Sequence, residues 1–171
     1  ASLKMRGHQI KAIVFDNSYK ATANLDLTYS FENNNTKKES FLNLKSVKNK
    51  LYEFGIKYDF LGKYITQSDK NKAMEIAKQI KFADLEEFYF RGISVGKNIK
   101  SSCIRYLKGK SFDNGDRKML VEYTYAGILN IIAMEKVIKH LKPNKAFLSH
   151  AIYTDWGPAM KCLLKNSIPT T

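Results

Sequence analysis

Cysteine is scarce in this sequence: among 171 residues only Cys103 and Cys162 are cysteines, and the histidines are His8, His140 and His150. There is no C-x-x-C pair and no metal-ligand spacing, which argues against a zinc site. Two isolated thiols, read as buried and reduced, fit a cytosolic compartment. Long apolar runs are missing too. The longest stretch, Ala126 to Met134, is interrupted by Asn130 and falls far short of the roughly 20 residues that a membrane helix needs. The front of the chain lacks the basic start, apolar core and cleavage site of a signal peptide. No internal repeat is found, and no RRM, KH, helix-turn-helix or zinc signature of a nucleic-acid module. No G-x-G-x-x-G follows a strand, so Gly92 and Gly96 do not form a dinucleotide fingerprint. Acidic residues are outnumbered, 16 against 29 Lys and Arg, for a net charge of +13.

What is present reads as one globular domain. Hydrophobic residues make up 44% and charged residues 26%, a folded rather than a disordered balance. The positive charge attracts phosphates in nucleic acid, lipid head groups or nucleotide-sugar donors. Because the lysines are scattered along the chain rather than massed in a block, a plain solvated surface accounts for them equally well. The sequence does not begin with Met and opens directly on helix-like residues, which reads as a trimmed chain.

Patterning predicts an α/β fold. Ser2 to Gly7 reads as the end of a helix stopped by glycine, and Gln9 to Phe15 as a strand bounded by Asp16-Asn17. Residues 17–40 are expected to form a loop or insertion. Asn43 to Phe54 and the segment from Ser68 or Asp69 to Phe82 have helical apolar spacing. Asp84 to Tyr89 and Ser101 to Leu107 read as further helical pieces. The longest helix is predicted from Asp116 to Leu141, with an apolar stripe too wide for a surface helix, ended by Pro143. Lys145 to His150 then reads as a short buried strand. Pro158 suits the first turn of a helix over Ala159 to Lys165, and Ser167 to Thr171 approaches another strand.

In open α/β sheets ligands bind beyond the carboxyl ends of the strands. Two such ends are legible. Asp16 follows the first strand. His150, Tyr153, Asp155 and Trp156 follow the later one, gathering an imidazole, a phenol, a carboxylate and the only tryptophan. Aromatic rings stack on the C–H faces of sugars, and a histidine can act as general base toward a sugar hydroxyl. Gly157 and Pro158 open a helix whose N–H groups suit an anion. Arg105, between Ile104 and Tyr106, suits a phosphate or carboxylate. Each also has a plainer role open to it: His150 a structural hydrogen bond, Trp156 a cover for the core, Asp155 a helix cap, Arg105 an ion pair, Asp16 the end of a strand.

Several of these segments resemble a family. Leu3-Lys-Met-Arg-Gly-His-Gln-Ile10 with Ala-Ile-Val-Phe15 is similar to the L-A-x-x-L-x-x-R-G-H-x-V helix and second strand of GT-B glycosyltransferases. Lys142-Pro-Asn-Lys-Ala-Phe-Leu-Ser-His150 resembles their later K-P-D, strand, H segment, and Lys165-Asn-Ser-Ile-Pro-Thr170 their x-x-G-I-P-x segment, with Ser167 in place of the usual glycine. Phe90-Arg-Gly-Ile-Ser-Val-Gly96, Ser101-Ser-Cys-Ile-Arg-Tyr106 and His150-Ala-Ile-Tyr-Thr-Asp-Trp-Gly157 narrow the likeness to bacterial enzymes of capsule and surface-polysaccharide synthesis.

The resemblance implies a Rossmann-like open parallel sheet with flanking helices, part of an amino-terminal GT-B domain. The family's first strand and glycine-rich turn are absent, as is the second domain, which carries most of the nucleotide-sugar site. The chain alone is therefore expected to be the acceptor side of the enzyme and inactive by itself. The implied reaction moves a sugar from a nucleotide-sugar donor to a surface-polysaccharide or lipid-linked acceptor, with no cofactor and no obligate metal. His150 is the implied base or acceptor contact; Asp16, Arg105, Tyr153, Asp155, Trp156 and Gly157 are the substrate contacts. The expected location is cytoplasmic, peripheral to an anionic inner-membrane face. A nucleotide-sugar epimerase of related fold is an alternative. A basic nucleic-acid-binding module is the other; it explains the charge but not the Asp-Trp-Gly-Pro loop, so nucleic acid is not the expected partner.

Overall fold

The computed structural model describes residues 2–21 and 36–171. It shows a mixed α/β protein in which helix predominates. Helix α1 (Ser2–Met5) is one turn, closed by Gly7 at φ 82°. His8 N–H donates to Leu3 O at 3.2 Å and Gly7 N–H to Lys4 O at 3.0 Å, a paired closure that requires a left-handed residue. Strand β1 (Lys11–Val14) follows. The same closure ends α2 (Thr36–Glu53): Ile56 N–H donates to Leu51 O and Gly55 N–H, at φ 58°, to Tyr52 O, both at 2.8 Å. Strand β2 (Lys57–Phe60) then pairs in parallel with β1, Lys11 opposite Lys57 and Val14 opposite Phe60. Lys4 Nζ, 2.9 Å from Gly55 O, ties the two helix ends together.

Three expectations are corrected in this region. Strand β2 was not anticipated, although Ile56, Tyr58 and Phe60 alternate with Lys57 and Asp59 as a half-buried strand should. Helix α2 begins at Thr36 rather than Asn43, so residues 36–40 of the expected loop at 17–40 are helical; residues 22–35 lie outside the described residues. The next helix, α3 (Gln67–Gln79), is capped by Thr66 rather than by Ser68 or Asp69. Thr66 Oγ1 accepts from Asp69 N–H at 3.2 Å while Asp69 Oδ2 accepts from Thr66 N–H at 2.8 Å. Asp69 therefore fills the third helical position of a reciprocal capping box.

A 3-10 segment (Phe82–Glu87) leads into a hairpin of β3 (Tyr89–Phe90) and β4 (Ile93–Ser94). Its two turn residues, Arg91 and Gly92, both have positive φ, the twist that tight hairpins prefer. Helix α4 (Gly96–Leu107) follows. Helix α5 (Arg117–Leu141) is the axis of the fold, packed against α3, α4 and α6 (Gly157–Lys165). Its Leu120, Tyr123, Ile128, Leu129 and Ile131 are fully buried, as the wide apolar stripe requires. Truncating one of the aliphatic ones to alanine costs about 2–5 kcal/mol. The helix ends at Lys142 in the left-handed conformation, just before Pro143.

The segment read as a buried strand at Lys145 to His150 is much shorter. Ala146 makes an isolated parallel bridge with Thr170, and Phe147 is 56% exposed. The bridge is held by Ala146 N–H to Pro169 O at 2.9 Å, Thr171 N–H to Ala146 O at 3.1 Å and Leu148 N–H to Thr171 O at 2.9 Å. Among the described residues the two parallel pairings are not hydrogen-bonded into one sheet. No helix among those residues is long and apolar enough to cross a membrane.

Candidate functional site

Residues 149–156 form the segment between the Ala146 bridge and α6. Its backbone is pinned from beneath by three side chains on two helices. Asn98 of α4 donates through Nδ2 to Ala151 O and Ile152 O, each at 2.9 Å. Ser102, one turn further along α4, accepts at 3.0 Å from both the N–H and the hydroxyl of Thr154. Asn130, midway along α5, donates to Thr154 O at 3.1 Å and to Asp155 O. Thr154 is completely buried, and Asn98, Ser102 and Asn130 nearly so. Hydrogen bonds in a low-dielectric interior are electrostatically strong, and leaving one unmade is costly. The loop is thus held at its carbonyls, with Thr154 buried beneath it and His150 and Trp156 exposed.

The ring-bearing side chains of the loop form one patch. The His150 ring meets Tyr153 edge-on at 5.5 Å and Trp156 edge-on at 6.2 Å. The Arg105 guanidinium lies 4.6 Å over the Tyr153 ring, within cation–π range. His150 is exposed, Trp156 is 38% exposed, and Tyr153 and Arg105 are half-buried. Asn98, Ser102 and Arg105 follow one another at i, i+4 and i+7 along a single face of α4. That face therefore supplies both the pins beneath the loop and the cation beside its aromatics. Among the described residues no three His, Cys, Asp or Glu side chains converge as metal ligands.

Two further candidates, Asp155 and Asp16, carry carboxylates that act on the buried Tyr19. Tyr19 Oη lies 3.5 Å from Asn130 Nδ2. Burial pushes its phenol well above the ordinary range, and the carboxylates of Asp155 and Asp16 push it further, against the Asn130 hydrogen bond. The phenol therefore stays neutral across the physiological range. Asp16 itself accepts from Gly62 N–H at 3.1 Å and from the Ser18 hydroxyl. A Cβ on Gly62 would stand 2.6 Å from Asp16 Oδ2, so the glycine admits the carboxylate. Asp16 thereby links the loop after β1 to the turn after β2.

Gly157 has a packing role. It is buried, and a Cβ there would overlap the Asn98 carboxamide and come within 2.7 Å of Ala151 O. Its N–H donates to Tyr153 O at 2.8 Å, so it is engaged within the protein.

The structure thus brings His150, Tyr153, Trp156 and Arg105 together, sets Asp155 and Asp16 around Tyr19, and buries Gly157. Sequence reading missed Asn98, Ser102, Thr154 and Tyr19. The signal for the first two was a polar pair one turn apart beside the apolar positions Ile99, Cys103 and Leu107. Asn130 was visible as the break in the longest apolar run, but its partner was not. No family model, curated protein or solved structure matches the chain.

Proposed function

We propose that this chain is the acceptor-binding part of a sugar-transferring enzyme of GT-B type, in which the β1–β2 pair and the Ala146–Thr170 bridge belong to one Rossmann-like arrangement. The observation that carries the reading is the aromatic patch. Three rings, two exposed and Tyr153 half-buried, stand at the carboxyl end of a parallel β-connection, on a loop whose carbonyls are fixed by Asn98 and Asn130. A sugar ring needs flat apolar faces to stack on and fixed polar groups nearby, and a rigid platform loses little entropy on binding. His150 is the exposed titratable group within the patch and takes the proton from the acceptor hydroxyl. Tyr153 and Trp156 hold the acceptor ring. Arg105, stacked on Tyr153, stands where an acidic or phosphate-bearing acceptor carries its charge. The net charge of +13 favours an acceptor carried on an anionic membrane surface.

Trp156 is the only tryptophan, so emission under tryptophan-selective excitation reports on this patch. Titration with glycans and with nucleotide sugars is expected to change that emission saturably for a glycan, and Tyr153→Ala is expected to abolish the response. An emission indifferent to every glycan and nucleotide sugar would remove the support for the reading. In an enzyme containing the nucleotide-sugar-binding part, His150→Ala with undiminished turnover would refute the base assignment.

A further inference from the structure

Lysines that are scattered in sequence converge at the opposite end of β1. A shallow groove of about 650 Å3 runs between α2 and the amino-terminal ends of the two parallel strands, and Lys11, Lys48, Asn49, Tyr52, Lys57 and Tyr58 line it. Lys11 and Lys57 are register partners on adjacent strands, which places their Cα atoms about 5 Å apart. Lys45, Lys48 and Tyr52 are spaced i, i+3 and i+7, so they share one flank of α2. Tyr52 is 86% exposed. Tyr58 is half-buried, its ring held edge-on by Phe60 at 5.4 Å. Among the described residues Asp59 pairs with Lys11 at 3.0 Å and with Lys63 at 3.1 Å, two lysines to one acid, and Glu53 follows Tyr52 at the end of α2. The site therefore keeps a positive balance, with a free aromatic face at its rim.

We propose that this groove binds a single-stranded polynucleotide. Lysines spaced along a groove suit successive phosphates, and the two tyrosines offer faces on which unpaired bases stack whatever their sequence. Duplex offers no such faces, because its bases are already stacked inside. A bilayer surface is flat and does not follow a concave floor. This surface lies at the other end of β1 from Asp16 and is independent of the sugar-acceptor reading.

The test is fluorescence anisotropy of labelled dT12 and U12 oligonucleotides with the 171-residue chain. Saturable binding is expected at 50 mM salt. With three to four phosphates neutralised, affinity should fall roughly 20- to 50-fold between 50 and 200 mM salt. Tyr52→Ala should weaken binding about 5- to 150-fold, while Tyr52→Phe, which keeps the ring, should retain it. Lys48→Gln should flatten the salt dependence. These side chains are at the surface, so an unchanged circular dichroism spectrum confirms that the variants fold. The proposal is overturned if neither oligonucleotide binds at 50 mM salt. It is equally overturned if Tyr52→Ala binds like the parent, or if a duplex of equal length binds as tightly as the single strand. Binding to anionic lipid vesicles that Lys48→Gln weakens, without oligonucleotide binding, would assign the groove to a membrane instead.

Discussion

Consider the substitution Gly157→Ala. The Gly157 backbone is not in the left-handed region, so alanine meets no conformational strain and gains up to about 1 kcal/mol of helix propensity. The obstacle is the Asn98 carboxamide, which occupies the space of the new methyl, with Ala151 O 2.7 Å away on the other side. Asn98 is 5% exposed and donates two 2.9 Å hydrogen bonds to the loop. To admit the methyl it must give up those bonds, each contributing about 1 kcal/mol, and a stranded buried amide costs about 1–3 kcal/mol more. After the helix gain is subtracted, the expected destabilisation is about 2–4 kcal/mol. For a chain of this length that lowers the melting temperature by roughly 5–15 °C.

Urea unfolding followed by Trp156 emission measures the change directly. The decisive comparison repeats Gly157→Ala in an Asn98→Ala background, where the obstructing side chain is gone. There the methyl should cost at least about 1 kcal/mol less, a coupling expected of residues in contact. A neutral Gly157→Ala, or an equal cost in both backgrounds, would refute the account of how the loop is held.

Three further outcomes follow from named contacts. Asn130→Leu leaves the carbonyls of Thr154 and Asp155 without their donor and should destabilise by about 2–4 kcal/mol, with the circular dichroism at 25 °C unchanged; a stability equal to the parent's would contradict the assigned bonds. Burial alone would raise the Asp69 carboxyl, but the Lys136 ammonium at 2.5 Å and the Thr66 hydroxyl and N–H outweigh it and hold it at about 2. Since its folded pKa is below the ordinary carboxylate value, its contribution is present above about pH 4 and lost as the pH falls toward 2. Urea midpoints measured across that window should show the drop in the parent and a smaller one in Asp69→Asn. Burial pushes the thiol of Cys103 up to about 12, with Asp116 adding to it, and that of Cys162 up to about 11, with Glu135 adding to it. Both should react with a thiol reagent at pH 8 far more slowly in the native protein than in urea, because the thiolate is the reactive form; equal rates would show that the thiols are accessible.

The sequence by itself marked most of the helices, although α4, expected from Ser101, begins at Gly96 and the helical piece expected at Asp84 to Tyr89 is a 3-10 segment that gives way to β3. The helical signals are local: the apolar stripe of α5, the glycines after α1 and α2, and Pro158 at the start of α6 are each read within a few residues. It also marked the His150 to Trp156 segment as chemically rich, because ring-bearing side chains cluster there in the chain itself. Capping was legible only in kind: the Thr66 and Asp69 pair fits a capping box, but the cap itself lies two or three residues before the expected Ser68 or Asp69. The short strands were the weakest point, since β2 and the Ala146 bridge depend on partners distant in sequence.

Tertiary structure alone decided what those signals are for. It turned Asn130 from a flaw in an apolar run into a pin for the loop, and Gly157 from an anion contact into space for Asn98. It drew Lys11, Lys48 and Lys57 from separate segments into one groove. The physical reason is common to all of these. A buried polar group must find a partner, and a charge acts over distance through space rather than along the chain. Which groups meet is therefore fixed by the packing of α4, α5 and the parallel strands, and no local pattern carries that information.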